Sequence, residues 1–228
     1  MSATFHPPCI EFALPQAHFR AMKTSWKTIW PAALGVAWLA VAADARENPP
    51  VGERSLTVLV LDYAGVSDRS LNELETLSAV LLSRAGVRAE WVHCQGHEQG
   101  PRPAVCDASL GGGVVMLRLQ MVFPGREPKV GNPLGAATVE SGYASIFVSE
   151  IGKQADRNGI GAGTLMAYAA THEIGHLLLG PGHSSGGIMQ AVWKAADYRD
   201  MAQHWLGFNA AQVQALRRVD AARVGPDD

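Results

Sequence analysis

Charge of a single sign, cysteine and long apolar runs are all scarce in this chain. It has 19 Lys and Arg against 21 Asp and Glu, a formal net charge of -2 at pH 7. So even a balance builds no strongly basic face, which excludes the electrostatic footprint needed for nucleic acid or for an anionic bilayer surface. No apolar run reaches the roughly 20 residues of a bilayer span, so no membrane span is expected in the mature form. Cysteine occurs at Cys9, Cys94 and Cys106 only, with no Cys-x-x-Cys pair, so a cysteine-built zinc site is disfavoured. There is no internal repeat. What remains, 228 residues of which 47% are hydrophobic and 18% charged, is an ordinary globular composition, enough to bury one core and by default one domain.

The longest apolar stretch, IWPAALGVAWLAVAA at 29–43, contains Pro31 and follows Lys23 and Lys27. It ends in small residues at Ala40, Ala42 and Ala43. Basic, then apolar, then small is the order of a cleavable secretory signal, which is favoured over an anchor. Residues 1–21 fit no part of such a signal, whereas a start at Met22 gives one of normal length. The expectation is a leader over 1–43 and a single mature domain over 44–228, exported to the periplasm or beyond and monomeric. Export removes Cys9 and leaves Cys94 and Cys106 as an even pair in an oxidising compartment, where a disulfide is expected over two free thiols. Its loop would contribute about 3 kcal/mol on the chain-entropy model.

Residues 43–50 (ADARENPP) read as a short linker. LTVLVL at 56–61 is nearly continuous apolar sequence, the pattern of a strand buried on both faces. Ser70 with Glu73 forms a capping box ahead of Leu71, Leu74, Leu77 and Leu81 at helical spacing, and Gly86 ends that helix. A weakly alternating strand follows at 88–94. In the next, Val115, Leu117, Leu119 and Met121 share one face and Arg118 and Gln120 the other. The stretch FPGREPKVGNP reads as loop and YASIFV at 143–148 as a further strand. Asn209 caps a closing helix that presents Val213, Leu216 and Val219. The predicted class is α/β (α+β): a small mixed twisted sheet with covering helices.

The chemistry concentrates in THEIGHLLLGPGHSSGGIM at 171–189. The preceding GAGTLMAYAA is rich in helix formers and has no breaker after Gly163, so His172 and His176 fall in a helix. Four residues apart, they lie on one face, one turn apart, where both imidazoles reach one metal ion. Glu173 projects beside them, placed to act on a metal-bound water without itself being a ligand. A catalytic zinc takes three protein ligands and keeps one position open. His183 is the candidate third ligand: Gly180 stops the helix and Pro181 forbids its continuation, so the chain must turn back there. Zinc peptidases that take a later glutamate as third ligand are disfavoured, since no Glu follows Glu173. Asp197, Asp200 and His204 are left as reserves, the aspartates reading better as solvent-facing helix charges.

These residues resemble the metzincin clan of zinc metalloproteases, His-Glu-x-x-His-x-x-Gly-x-x-His followed by a Met-turn. The match covers His172, Glu173, His176, Gly180, His183 and a turn at Gly187-Ile188-Met189. It departs by one extra residue, which puts Leu179 in the usual glycine place, and by a short spacing to Met189. The leader, the two-cysteine loop after a Trp-bearing strand, HEIGHLLLG, HS and GIM are also similar to a group of uncharacterised secreted bacterial proteins of presumptive metalloprotease type. The resemblance implies a metzincin-like fold with an active-site helix, a Met-turn and a C-terminal helix, and a floor role for Met189 beneath the histidines. Trp193 reads better as core than as pocket, Tyr198 as a surface helix residue rather than an oxyanion donor, and His93 and His97 as strand-end or loop histidines rather than a second site. The expected function is a secreted zinc (Zn²⁺) metalloendopeptidase acting on peptide or protein substrates through a zinc-bound water, with Glu173 as general base. An extended peptide would lie along a free sheet edge at 143–148. A non-catalytic zinc-binding module and a zinc amidase acting on a non-protein amide stand as alternatives.

Overall fold

The computed structural model describes residues 54–94, 102–122, 124 and 133–218. All of them fall in the unit that spans Glu47–Asp228. The leader at 1–43, the Met22 start, the 43–50 linker, His97 and Val219 lie outside the described residues. Among those described, no helix is long and apolar enough to cross a membrane.

In chain order the elements are β1 (Arg54–Asp62), α1 (Asp68–Arg84), β2 (Val87–His93), β3 (Val114–Gln120), β4 (Gly135–Thr138), β5 (Tyr143–Phe147), α2 (Val148–Asn158), α3 (Ala162–Leu179), α4 (Ala195–Ala202) and α5 (Ala210–Arg218). The five strands form one sheet in the order β2-β1-β3-β5-β4. Every pair is parallel except β4 against β5. This is the mixed sheet with covering helices that the sequence predicts.

β1 is an interior strand, between β2 and β3, and Leu56, Val58, Leu59 and Val60 are all buried because both sheet faces are covered there. On one face, Val58, Val60, Leu117, Leu119, Ala144 and Ile146 pack beneath α1 and α3 in the main core. α1 contributes Leu74, Leu77, Leu81 and Leu82, and Ser78 Oγ donates to the Ala167 carbonyl at 3.1 Å, tying α1 to α3. On the other face, Leu59 packs with Cys94 and Cys106. Those two cysteines form the expected disulfide, Cα–Cα 5.4 Å.

Four expectations need correction. The cap of α1 is Ser67, whose side chain accepts from the Ser70 amide at 3.3 Å, so Ser70 lies inside the helix. Glu73 turns away from a capping role and accepts from Thr164 Oγ1 at 2.5 Å, at the start of α3. Met121 falls past the end of β3 and is half exposed, unlike the buried Val115, Leu117 and Leu119. Finally, β5 is not an edge. β4, formed by GAAT just after the FPGREPKVGNP loop in a stretch to which the sequence assigns no element, pairs against it and is itself the edge.

Candidate metal centre

α3 is buried continuously from Gly163 to His176. Alanines and other small residues let the sheet, α1 and the segment after the helix approach it on all sides. Gly175 makes one such approach possible: a Cβ there would collide with Met189 Sδ and would lie 3.2 Å from Phe208 Cε1. Met189 is 1% exposed, so the turn at 187–189 is pressed against the histidine-bearing part of the helix. At the helix end the Gly180 amide donates to the His176 carbonyl at 2.9 Å, and Gly180 has φ 93°, a conformation open to glycine. The chain then reverses, fastened by Ser184 N–H to Met189 O at 2.8 Å and Ile188 N–H to Gly207 O at 2.8 Å.

This reversal brings His183 to the helix pair. The ring centroids of His172 and His183 are 5.4 Å apart and those of His176 and His183 4.8 Å. One nitrogen from each of the three histidines lies within 4.8 Å of the others, two of the residues buried and His183 exposed. His172 Nδ1 meets the Ile188 carbonyl at 2.8 Å and His176 Nδ1 the Gly180 carbonyl at 3.2 Å. Facing carbonyls, both Nδ1 atoms carry the proton, which leaves the two Nε2 atoms as lone-pair donors. Those Nε2 atoms are 3.0 Å apart. With no proton to share, such an apposition is unfavourable unless a cation lies against both, so the donor set fits a metal ion. Three nitrogens with no further metal-competent group in the cluster among the described residues suit zinc with an open position.

The electrostatics agree with that chemistry. Burial lowers the His172 pKa to about 4, with His176 and His183 adding to the effect and the Ile188 hydrogen bond opposing it. His176 is lowered too, by burial first and by His183, against the Gly180 carbonyl. Both are therefore neutral, metal-competent imidazoles at neutral pH. Burial raises Glu173 to about 8, and no hydrogen bond holds its carboxylate among the described residues.

The three histidines and Glu173 line a cavity of about 790 Å³ whose other walls include Gly135 to Ala137 of β4, Val192, Trp193 and Tyr198. Phe147 N–H bonds to Leu134 O at 2.9 Å. By antiparallel alternation the main-chain groups of Ala136 and Thr138 then face β5, while those of Gly135 and Ala137 face away from the sheet.

Other sequence candidates fall as follows. Trp193 is a wall of this cavity, its Nε1–H donating to Ile188 O at 3.2 Å and its ring edge-on to His172 at 5.6 Å. Tyr198 is buried rather than on a surface, and its hydroxyl accepts from Gln154 Nε2 at 2.8 Å. The Asp197 carboxylate is committed to Gln190 Nε2 at 2.9 Å and the Lys194 amide at 2.7 Å, a capping role. Asp200 and His204 are outside the cluster. His93 pairs with Glu75 at 2.8 Å. Nothing in the local sequence marks Gly135 or Gln154 as site residues. Gly135 lies in a weakly patterned stretch between the Pro/Gly-rich loop and the next strand, and Gln154 belongs to a helix whose approach to α4 no local pattern announces.

No family model and no curated protein matches the chain. Among solved structures it is similar to archaemetzincin from Methanopyrus kandleri, with 15% identity, TM-score 0.47 and coverage of 75% of this chain and 97% of that one. It is also similar to a zinc-dependent peptidase from Methanocorpusculum labreanum, with 17% identity, TM-score 0.41 and coverage of 70% of this chain and 99% of that one.

Proposed function

We propose that the protein is a secreted zinc metalloendopeptidase of metzincin type, with His172, His176 and His183 as ligands and Glu173 as general base. The observation that carries this reading is the convergence of three imidazole nitrogens within 4.8 Å of one another in a cavity that Glu173 also lines. A zinc ion held there supplies Lewis acidity, lowering the pKa of a bound water towards about 7 and polarising a carbonyl. Glu173 takes the proton of the attacking water and passes it to the leaving amine. Burial raises the Glu173 carboxyl in the metal-free site, and the charge of a bound zinc ion would oppose that shift, leaving the carboxylate able to accept the proton. Met189 supplies an apolar floor under the His172–His176 turn. An extended peptide pairs with the outward main-chain groups of Gly135 and Ala137, so the docking edge is β4 in place of the 143–148 strand. The Cys94–Cys106 disulfide supports residence in an oxidising compartment.

Zinc content and hydrolysis of a broad peptide library, measured for the wild type, Glu173→Gln and His183→Ala, test the reading. The glutamine variant should keep zinc and lose turnover, and the alanine variant should lose both. Wild-type turnover in Glu173→Gln would refute the mechanism. Stoichiometric zinc without any peptide hydrolysis would favour the non-catalytic module or an amidase.

A further inference from the structure

The edge strand and Glu173 meet more closely than side chains normally allow. A Cβ built on Gly135 would lie 2.7 Å from Glu173 Cγ and 2.8 Å from Glu173 Oε1, and 2.9 Å from the Ser145 carbonyl of β5. Real Cβ atoms essentially never approach other atoms so closely, so the volume that a side chain of residue 135 would fill is taken by the carboxylate arm of Glu173. Glu173 has no hydrogen bond among the described residues, and packing therefore decides where its carboxylate sits. Gly135 has no positive φ, so backbone conformation does not demand glycine there. Close approach does.

The geometry points to Gly135 as a positioning residue whose missing side chain is the seat of Glu173, so that the strand offering main-chain groups to an extended peptide also fixes the base. This inference rests on the peptidase reading. It adds that β4 acts on both partners of the proton transfer. One side of Gly135 touches the carboxylate, and its amide and carbonyl face away from the sheet towards the substrate's place. A peptide bonded to Gly135 is thereby held in register with the base, with no intervening flexible side chain. A methyl group at 135 would push either the carboxylate or the strand, and a misplacement of about 1 Å at a reacting group costs on the order of 100-fold in rate.

The test uses Gly135→Ala in the wild-type and Glu173→Ala backgrounds, with zinc content, steady-state kinetics and urea denaturation. In the wild-type background the variant should bind zinc stoichiometrically and lose about 100-fold in kcat, with a smaller change in KM. Its denaturation midpoint should fall, and most of that fall should vanish when residue 173 is alanine, because the seat is then empty. An equal fall in both backgrounds would place the clash at the Ser145 carbonyl and overturn the inference, as would an unchanged kcat. If Gly135→Ala alone fails to fold, recovery of folding in the double variant supports the seat, and failure of both overturns it. Coupling of the two positions in denaturation, in a wild type that hydrolyses no peptide, would keep the seat and reject the peptidase reading.

Discussion

Stability of the metal-free protein should depend on pH through Glu173, and substitution by its neutral isostere isolates that dependence. Burial holds Glu173 at about 8 against an ordinary 4.5. An acid whose pKa is raised on folding binds its proton more tightly in the folded state. Its unfavourable contribution is absent below about 4.5, grows as pH rises and levels off above about 8, where the folded carboxyl ionises too. The gap in proton affinity corresponds to a ceiling of about 5 kcal/mol. Access of solvent through the cavity that Glu173 lines would reduce this, so about 2 kcal/mol is the expected difference. Glu173→Gln cannot ionise, while every other titrating group is common to both proteins. With zinc removed by chelator and the disulfide intact, urea denaturation should give equal stabilities near pH 4.5. Near pH 8.5 the glutamine variant should be the more stable by about 2 kcal/mol. A difference that does not change with pH, or a wild type more stable at pH 8.5, would refute the assignment of Glu173 to a buried site without a hydrogen-bond partner.

His172 acts in the opposite sense. A base whose pKa is lowered to about 4 on folding keeps its contribution above about 6.5 and loses it as pH falls from there towards 4. Chelated wild type should therefore weaken on acidification through that window, and His172→Gln should show a flatter acid limb in the same denaturation series. Gly175→Ala drives a methyl group into Met189 Sδ, an overpacking that should cost about 1–3 kcal/mol, and thermal denaturation with zinc titration should show weaker metal binding alongside. Replacing Cys94 and Cys106 by serine should cost about 3 kcal/mol on the chain-entropy model. It should leave zinc stoichiometry unchanged, since the bridge packs with Leu59 on the sheet face away from α3. Loss of zinc in that variant would contradict the separation of the two faces.

The histidine-bearing helix was legible because every signal for it is local. A run of helix formers, two histidines one turn apart, Gly180 and Pro181 all lie within about twenty residues, and the structure assembles them with only the Gly180 reversal to bring His183 home. The β4 wall of the cavity is built differently. GAAT has no β-branched run and one glycine, so its strand identity comes from pairing with β5, and its importance from contact with Glu173 across 38 positions of sequence. α2 begins directly at Val148 with no side-chain cap, so the apolar YASIFV run conceals where strand gives way to helix. Ser70 with Glu73 fits the capping-box spacing equally well, yet Glu73 has a stronger long-range acceptor role toward Thr164, and Ser67 takes the cap. The same asymmetry explains Tyr198. A short amphipathic helix announces one buried face, but which residue meets Gln154 is fixed by how α4 docks. Assembly of the histidine cluster thus depends on spacing within a single segment, while the seating of Glu173 depends on a distant strand edge. If the proposed peptidase reading holds, changes on β4 should abolish turnover while leaving zinc bound.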